Sequence, residues 1–142
     1  MAYAGYLIKL KANGGHAAEN LPFKYMRAES YTCTPNQRME SEANRAVTGV
    51  LVRKTVAHTA TKIEFETPYM TNADRAALNT MLNNHFTSVA ERKIDIEYYD
   101  DETDTYKSGT MYMPDVEYHI YRVDNTNNII YYNPVRYAFI EY

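Results

Sequence analysis

The sequence predicts a mainly β fold: a two-sheet β-sandwich or partly open barrel with one flanking helix. Three observations carry this. Tyr occurs 15 times and Trp never, and tyrosine favours pleated, half-buried strand surfaces. Several short segments alternate apolar and polar residues with period two, the mark of strands with one wet face. A single stretch, 72–85, carries the 3.6-residue period of a helix. With 142 residues the chain has the size of one domain, 1–142, and folding at this length buries roughly two-thirds of the surface of the unfolded chain.

Residues 3–10 read as a first strand, closed by the turn signal Lys11-Ala12-Asn13-Gly14-Gly15-His16. Residues 16–21 have no period and read as loop. Residues 23–33 place Phe23, Tyr25, Tyr31 and Cys33 in one register and read as a strand. The stretch 34–46 has almost no apolar side chain except Met39, and it reads as an extended polar loop, long for a compact domain. Two strands follow. Val50, Val52 and Val56 share a register in the first, and Ile63 and Phe65 alternate with Lys62, Glu64 and Glu66 in the second. Ala57-His58-Thr59-Ala60 is the expected hairpin turn between them.

The helix begins at Asn72. Thr71 stands at the N-cap with Asp74 three residues on, the arrangement of a capping box. Leu78, Met81, Leu82 and then His85 or Phe86 form the apolar stripe, and Arg75, Asn79 and Asn83 the polar face. Beyond it, Ile94, Ile96 and Tyr98 alternate with Asp95 and Glu97. The acidic turn 100–104 leads to strands at 105–113 and 116–123, the turn 124–128, a strand at 129–132, a break at Asn133-Pro134 and a last strand at 135–142.

The search for chemistry points away from catalysis. His16, His58, His85 and His119 are not spaced with a second ligand as metal motifs require, and His85 reads as a packed residue at the end of the helix. Asp100, Glu102 and Asp104 have the alternate spacing of a calcium loop. That motif needs Gly sixth and Glu twelfth, where this chain has Thr105 and Met111, so a solvated hairpin tip is expected. The lone Cys33 has no partner for a disulfide and no basic neighbour in sequence to activate it, so it reads as a small buried hydrophobe. No serine lies in a nucleophile elbow, and Gly14-Gly15 lacks the strand and helix of a phosphate loop. The expectation is a non-enzymatic chain with no cofactor and no metal. A net charge of −3 argues against residence on nucleic acid. No run approaches the roughly 20 apolar residues of a membrane span, and the N-terminus has neither the basic start nor the apolar run of a targeting segment, so synthesis in a cytoplasm is expected.

Two features remain for assembly: the 34–46 loop and the tyrosines after the helix. Candidate interface residues are Gln37, Arg38, Met39 and Glu40 in the loop, with Tyr99, Tyr106, Tyr112, Tyr121 and Tyr132 on the strands. A long loop is either a contact segment or simply mobile, and the rings are either contact surface or core.

From Ala46 to Tyr142 the order of elements is similar to that of a family of small prophage and phage tail proteins. The elements are Val50-Leu51-Val52-Arg53-Lys54, Thr61-Lys62-Ile63-Glu64-Phe65, the helix with Ala77-Leu78 and Met81-Leu82, and Ile94-Asp95-Ile96-Glu97-Tyr98-Tyr99-Asp100. Tyr106-Lys107-Ser108-Gly109-Thr110-Met111-Tyr112-Met113 and a strand ending near the C-terminus complete the order. The resemblance implies a tail-tube-like fold and a structural virion component at the tail tip, baseplate or tube. Its implied partners are copies of itself in a ring and other tail or baseplate proteins, with DNA passing non-specifically through the lumen. A carbohydrate- or receptor-binding β-sandwich module, with exposed tyrosines as stacking platforms, is the competing expectation.

Overall fold

A computed structural model describes residues 3–142, and within them the side chains of all but 39–44 and 52–58. The strands are β1 (Ile8–Leu10), β2 (Glu19–Asn20), β3 (Thr32–Arg45), β4 (Leu51–Glu66), β5 (Met70–Thr71), β6 (Phe86–Ser88), β7 (Lys93–Asp100), β8 (Thr105–Tyr112), β9 (Ile120–Asp124), β10 (Ile129–Tyr132) and β11 (Arg136–Glu141), and the helix α1 spans Asn72–His85. A short 3-10 turn, Ala28–Ser30, precedes β3. The strands form two antiparallel sheets. The larger runs β2-β1-β7-β8-β11-β4-β3, with β6 also paired to β7, and the smaller runs β5-β10-β9. The expected fold class is therefore the one observed: mainly β, with a single α-helix among the described residues.

The core follows from strand parity. In β7 the inner residues Ile94, Ile96, Tyr98 and Asp100 are buried, while their neighbours along the strand are half-exposed. Phe65 of β4 and Tyr137 of β11 are directly paired and stack at 5.5 Å, and Phe139 lies 6.3 Å from Phe65. Such aromatic pairs contribute about 0.5–1.5 kcal/mol beyond their buried area. Leu78 and Leu82 bring one stripe of α1 into this core.

The helix is held at both ends. Thr71 Oγ1 accepts from the Asp74 N–H (3.4 Å), and Asp74 reaches back to the Thr71 N–H, completing the capping box. At the other end the Asn13 amide donates to the Asn84 carbonyl (3.2 Å) and the Phe86 carbonyl (2.9 Å), groups that have no partner within a helix. His85 is buried as expected. Its ring nitrogens meet the Lys11 carbonyl (2.8 Å) and a Glu19 carboxylate oxygen (2.9 Å), which ties α1 to β1 and β2.

Two expectations are corrected. Residues 34–46 are not a loop: they belong almost entirely to β3, which pairs with β4 from Thr32↔Glu64 to Arg45↔Leu51. The expected turn at 57–60 does not exist either, because β4 continues through it, with Thr59 opposite Arg38 and Ala60 opposite Gln37. Ala57-His58-Thr59-Ala60 contains neither Gly nor Asn to take the left-handed backbone of a tight turn. The turn falls instead at 46–50, where Gly49 has φ 89° and the Gly49 and Ala46 N–H groups bond to the Ala46 and Val50 carbonyls. Smaller differences follow the same rule. The first strand is confined to Ile8–Leu10, and of the strand expected over 23–33 only Thr32 and Cys33 are extended in the sheet.

β4 therefore leads two lives. Over residues 62–66 it lies between β11 and β3, and over 51–60 it pairs with β3 alone. Thr61 is the junction. Past Lys62, the last β4 residue paired with β11, its N–H donates to the side chain of the final β11 residue, at Glu141 Oε1 (3.1 Å). Its buried hydroxyl oxygen accepts from the Asn36 N–H (3.1 Å) and the Tyr98 hydroxyl (3.3 Å). Asn36 sits in the bulge between Thr34 and Gln37 with φ 49°, so the bulge and the hydroxyl bend β3 out of the sheet together. Gly109 makes room for Glu141: a Cβ there would stand 3.0 Å from Glu141 Oε2.

Replacing Thr61 by Val, nearly the same shape, leaves the Asn36 N–H and Tyr98 hydroxyl without an acceptor in a buried place. A loss of about 1–3 kcal/mol in urea unfolding is expected, with faster protease cleavage next to residue 36. Unchanged stability and cleavage would remove Thr61 as the junction.

Candidate assembly surfaces

The first surface is the ribbon made by residues 37–60. β3 and β4 pair here only with each other among the described strands. At roughly 3.3 Å per residue the ribbon reaches about 30 Å, twice the roughly 14 Å radius of gyration of a domain this size. Gln37 and Arg38 are exposed on it. Met39 and Glu40 lie on its β3 backbone, but their side chains are outside the described ones. Its turn ends in apolar side chains: Val47 is fully exposed, Val50 63 % and Leu51 45 % exposed. Arg45 crosses the turn to donate to the Gly49 carbonyl (3.0 Å).

The tyrosines divide into three groups. Tyr99 and Tyr106 face the N-terminal segment. Tyr106 stacks on Tyr6 at 4.5 Å, donates its hydroxyl to the Tyr6 carbonyl (2.7 Å) and accepts from the Ala4 N–H (2.9 Å). Tyr99 meets Tyr3 and Tyr106 edge to face. Both Tyr99 and Tyr6 donate to carboxylates, those of Asp104 and Glu97, and these acceptors first, then burial, push their hydroxyls up to about 12. These rings fasten the first residues of the chain to β7 and β8. Tyr112 is half-buried beside Tyr142, at 5.6 Å.

The third group forms an outer face on the small sheet. Tyr121 is half-exposed and meets Tyr69 edge to face at 5.3 Å and Tyr131 at 6.0 Å. The Arg122 guanidinium lies 4.4 Å over the Tyr131 ring. Ile120 and Val123, each just over half exposed, also lie on β9, an edge strand, opposite Tyr132 and Ile130 in register. Tyr132 departs from the expectation: it is buried, with the Arg75 guanidinium 5.5 Å over its ring. β10 pairs with β5 at the root of α1, which turns Tyr132 inward and leaves Tyr121 outside.

The acidic run is also divided. Asp101, Glu102 and Asp104 are exposed as expected of a hairpin tip, but Asp100 is fully buried. The period-two count from Ile94 already places it on the inner face. Lys107 Nζ lies 3.0 Å from Asp100 Oδ2, and the Glu102 N–H donates to Oδ1 (2.9 Å). Burial drives the Asp100 carboxyl up. The Lys107 ammonium and the N–H groups of Glu102 and Thr103 outweigh it and hold the carboxyl below its ordinary range. Cys33, half-buried near this pair, has its thiol pushed up to about 11 by burial and by the Asp100 charge, which makes it a poor nucleophile. Among the described residues, no three of His, Cys, Asp and Glu gather as a metal site, and no helix is long and apolar enough to cross a membrane.

A mainly β chain of two antiparallel sheets with a long two-stranded ribbon is the class these observations define. The chain belongs to the family described as a family of unknown function (DUF6711), whose model matches residues 1–142. No curated protein matches it. Among solved structures the fold is shared with a chain from the tail of an empty gene transfer agent (GTA) particle, obtained by helical refinement with C6 symmetry. The TM-score is 0.51 at 13 % identity, over 99 % of this chain and 95 % of that one.

The buried ion pair has a signed pH dependence. Because the folded carboxyl of Asp100 titrates below its unfolded value of about 3.9, its stabilisation is complete above that pH and is lost as pH falls through the folded value. Urea unfolding of Asp100→Asn between pH 7 and pH 2 is expected to start from lower stability at pH 7 and to decline less steeply below pH 4. An acid limb as steep as that of the wild type would mean that other carboxyls set it.

Proposed function

We propose that the chain is a structural component of a virion tail, that it works by assembling into rings with copies of itself and with neighbouring tail proteins, and that it performs no catalysis. The observation that carries this reading is the ribbon. A lone two-stranded hairpin is marginally stable in water, and this one ends in three exposed apolar side chains. Both properties are corrected at once by a neighbouring subunit that receives the ribbon.

Charge supports the same contact. Residues 37–60 hold four basic and two acidic side chains, a net +2, so with −3 for the whole chain the remainder carries −5. A basic, apolar-tipped ribbon and an acidic body attract one another between copies. Such a head-to-tail contact closes into rings or continues as a helical stack. The fold shared with the tail chain of a C6-symmetric particle agrees with this geometry. The exposed side chains of Tyr69, Ile120, Tyr121 and Val123 offer a second contact at the free edge of β9, of a kind that β-proteins cover by assembly. Within the tail we place the chain at the tip, the baseplate or a tube-like ring. An acidic chain would let DNA pass through such a ring without holding it, since phosphate attraction is what retains DNA.

Concentrated protein viewed by negative-stain electron microscopy is expected to show rings or short stacks. The variant Val47→Asp/Val50→Asp should abolish them while leaving the melting temperature of the monomer unchanged, because both side chains already stand largely in water. In the assembled form the ribbon should resist proteases that cut it in the free chain. Equal cleavage of the ribbon in both forms, or rings that persist in the double variant, would contradict the role given to it. A chain that stays monomeric at every concentration, and is missing from particles by mass spectrometry, would contradict the tail reading itself.

A further inference from the structure

Beside α1 the chain forms a half-open cavity of about 130 Å³, with Leu82 and Phe86 as apolar walls and Asn79, Asn83, Arg92 and Tyr118 as its polar lining. None of these polar residues is acidic. Asn79 Oδ1 already accepts the hydroxyls of Tyr118 (3.2 Å) and Tyr137 (3.1 Å), which leaves the Asn79 amide N–H groups to donate. Arg92 Nη1 is buried without an acceptor, and the Arg92 guanidinium enters no hydrogen bond or ion pair among the described residues. A second guanidinium, that of Arg75, also has a buried nitrogen without an acceptor.

The backbone contributes as well. Arg92 holds φ 51°, a left-handed conformation uncommon for a long side chain. It is kept there by the turn that bonds the Arg92 N–H to the Val89 carbonyl (3.3 Å) and by the Met113 N–H, which donates to the Arg92 carbonyl (3.0 Å). The chain thus places an unpaired cation against a cavity whose remaining free groups are donors. The guanidinium is only partly buried, and it is the enclosed Nη1 that lacks an acceptor, a position where an anion would be favourable.

Size limits the ligand. At about 30 Å³ per water the cavity has room for roughly four waters, far below the roughly 300–1,000 Å³ of pockets for drug-sized ligands. A nucleotide or a sugar is too large. We propose that this cavity binds one carboxylate group, gripped by the Arg92 fork and by the amides of Asn79 and Asn83. The carboxylate comes either from an acidic side chain of a neighbouring protein or from a free small acid. This holds whether or not the chain is a tail component.

The test is a titration of the full chain with sodium acetate at constant ionic strength, set by sodium chloride and followed by the side-chain amide NMR signals of Asn79 and Asn83. Acetate should shift both signals saturably, and acetamide, of the same shape but uncharged, should not. Arg92→Gln should weaken acetate binding at least tenfold. Arg92→Lys should recover only part of it, since an ammonium lacks the planar fork. Arg92→Gly, which takes the positive φ without strain, should lose binding while the fold is retained, and serves if the Gln variant does not fold. A glutamate capped at both ends that binds more tightly than acetate identifies a presented side chain as the source, and weaker binding identifies a free acid. Equal responses to acetate and acetamide, no saturable shift at Asn79 and Asn83, or wild-type affinity in Arg92→Gly overturns the proposal.

Discussion

The architecture depends on one change of neighbours along a single strand. Over 62–66 β4 is a central strand between β11 and β3, and Ile63 and Phe65 enter the core there. One residue earlier, at Thr61, the ladder with β11 has ended, and the N–H donates instead to the carboxylate of Glu141 at the end of β11. From that point outward no third strand among the described ones is present to bury a face. The same two strands that build the core therefore continue as a polar ribbon, and the side chains they need change from apolar to mixed.

This junction explains why the stabilising contacts are unevenly distributed. The stacked rings of Phe65 and Tyr137, the capped helix and the ion pair of Asp100 with Lys107 all lie on the body. The ribbon has its ladder of backbone bonds and an apolar end in water. Ordering a hairpin costs backbone entropy that only burial offsets. A fold that keeps such an element is consistent with burial arriving from another molecule, which is the physical content of the assembly reading.

The tyrosines show how one residue type serves different purposes. Tyr99 and Tyr106 are engaged in fastening the N-terminal segment, Tyr132 is sealed beneath Arg75, and Tyr121 with Tyr69 stands outside. Their number in the sequence predicts strands but not these roles. Which ring faces a neighbour is a matter of where the second sheet lies, and period-two counting within one strand carries no information about that.

The sequence by itself determined the elements whose signal is local. The helix from Asn72 to His85 is written in its Thr71–Asp74 box and in Leu78 and Leu82. The alternation of Ile94, Ile96 and Tyr98 dictates an inner face, and carried two residues further it dictates the burial of Asp100. The sequence also determined the class, a mainly β chain with one helix. Only the tertiary structure decided that 34–46 is strand. The stretch has almost no apolar residue besides Met39 to mark a buried face, so period-two counting finds no strand in it, and its pairing partner, β4, is set by register across the sheet. The tertiary structure likewise decided that Asn79 and Arg92, polar and far apart in the chain, share one cavity. Periodicity reports how a segment meets water on its own, and which surfaces meet each other is settled only when the sheets close over the helix.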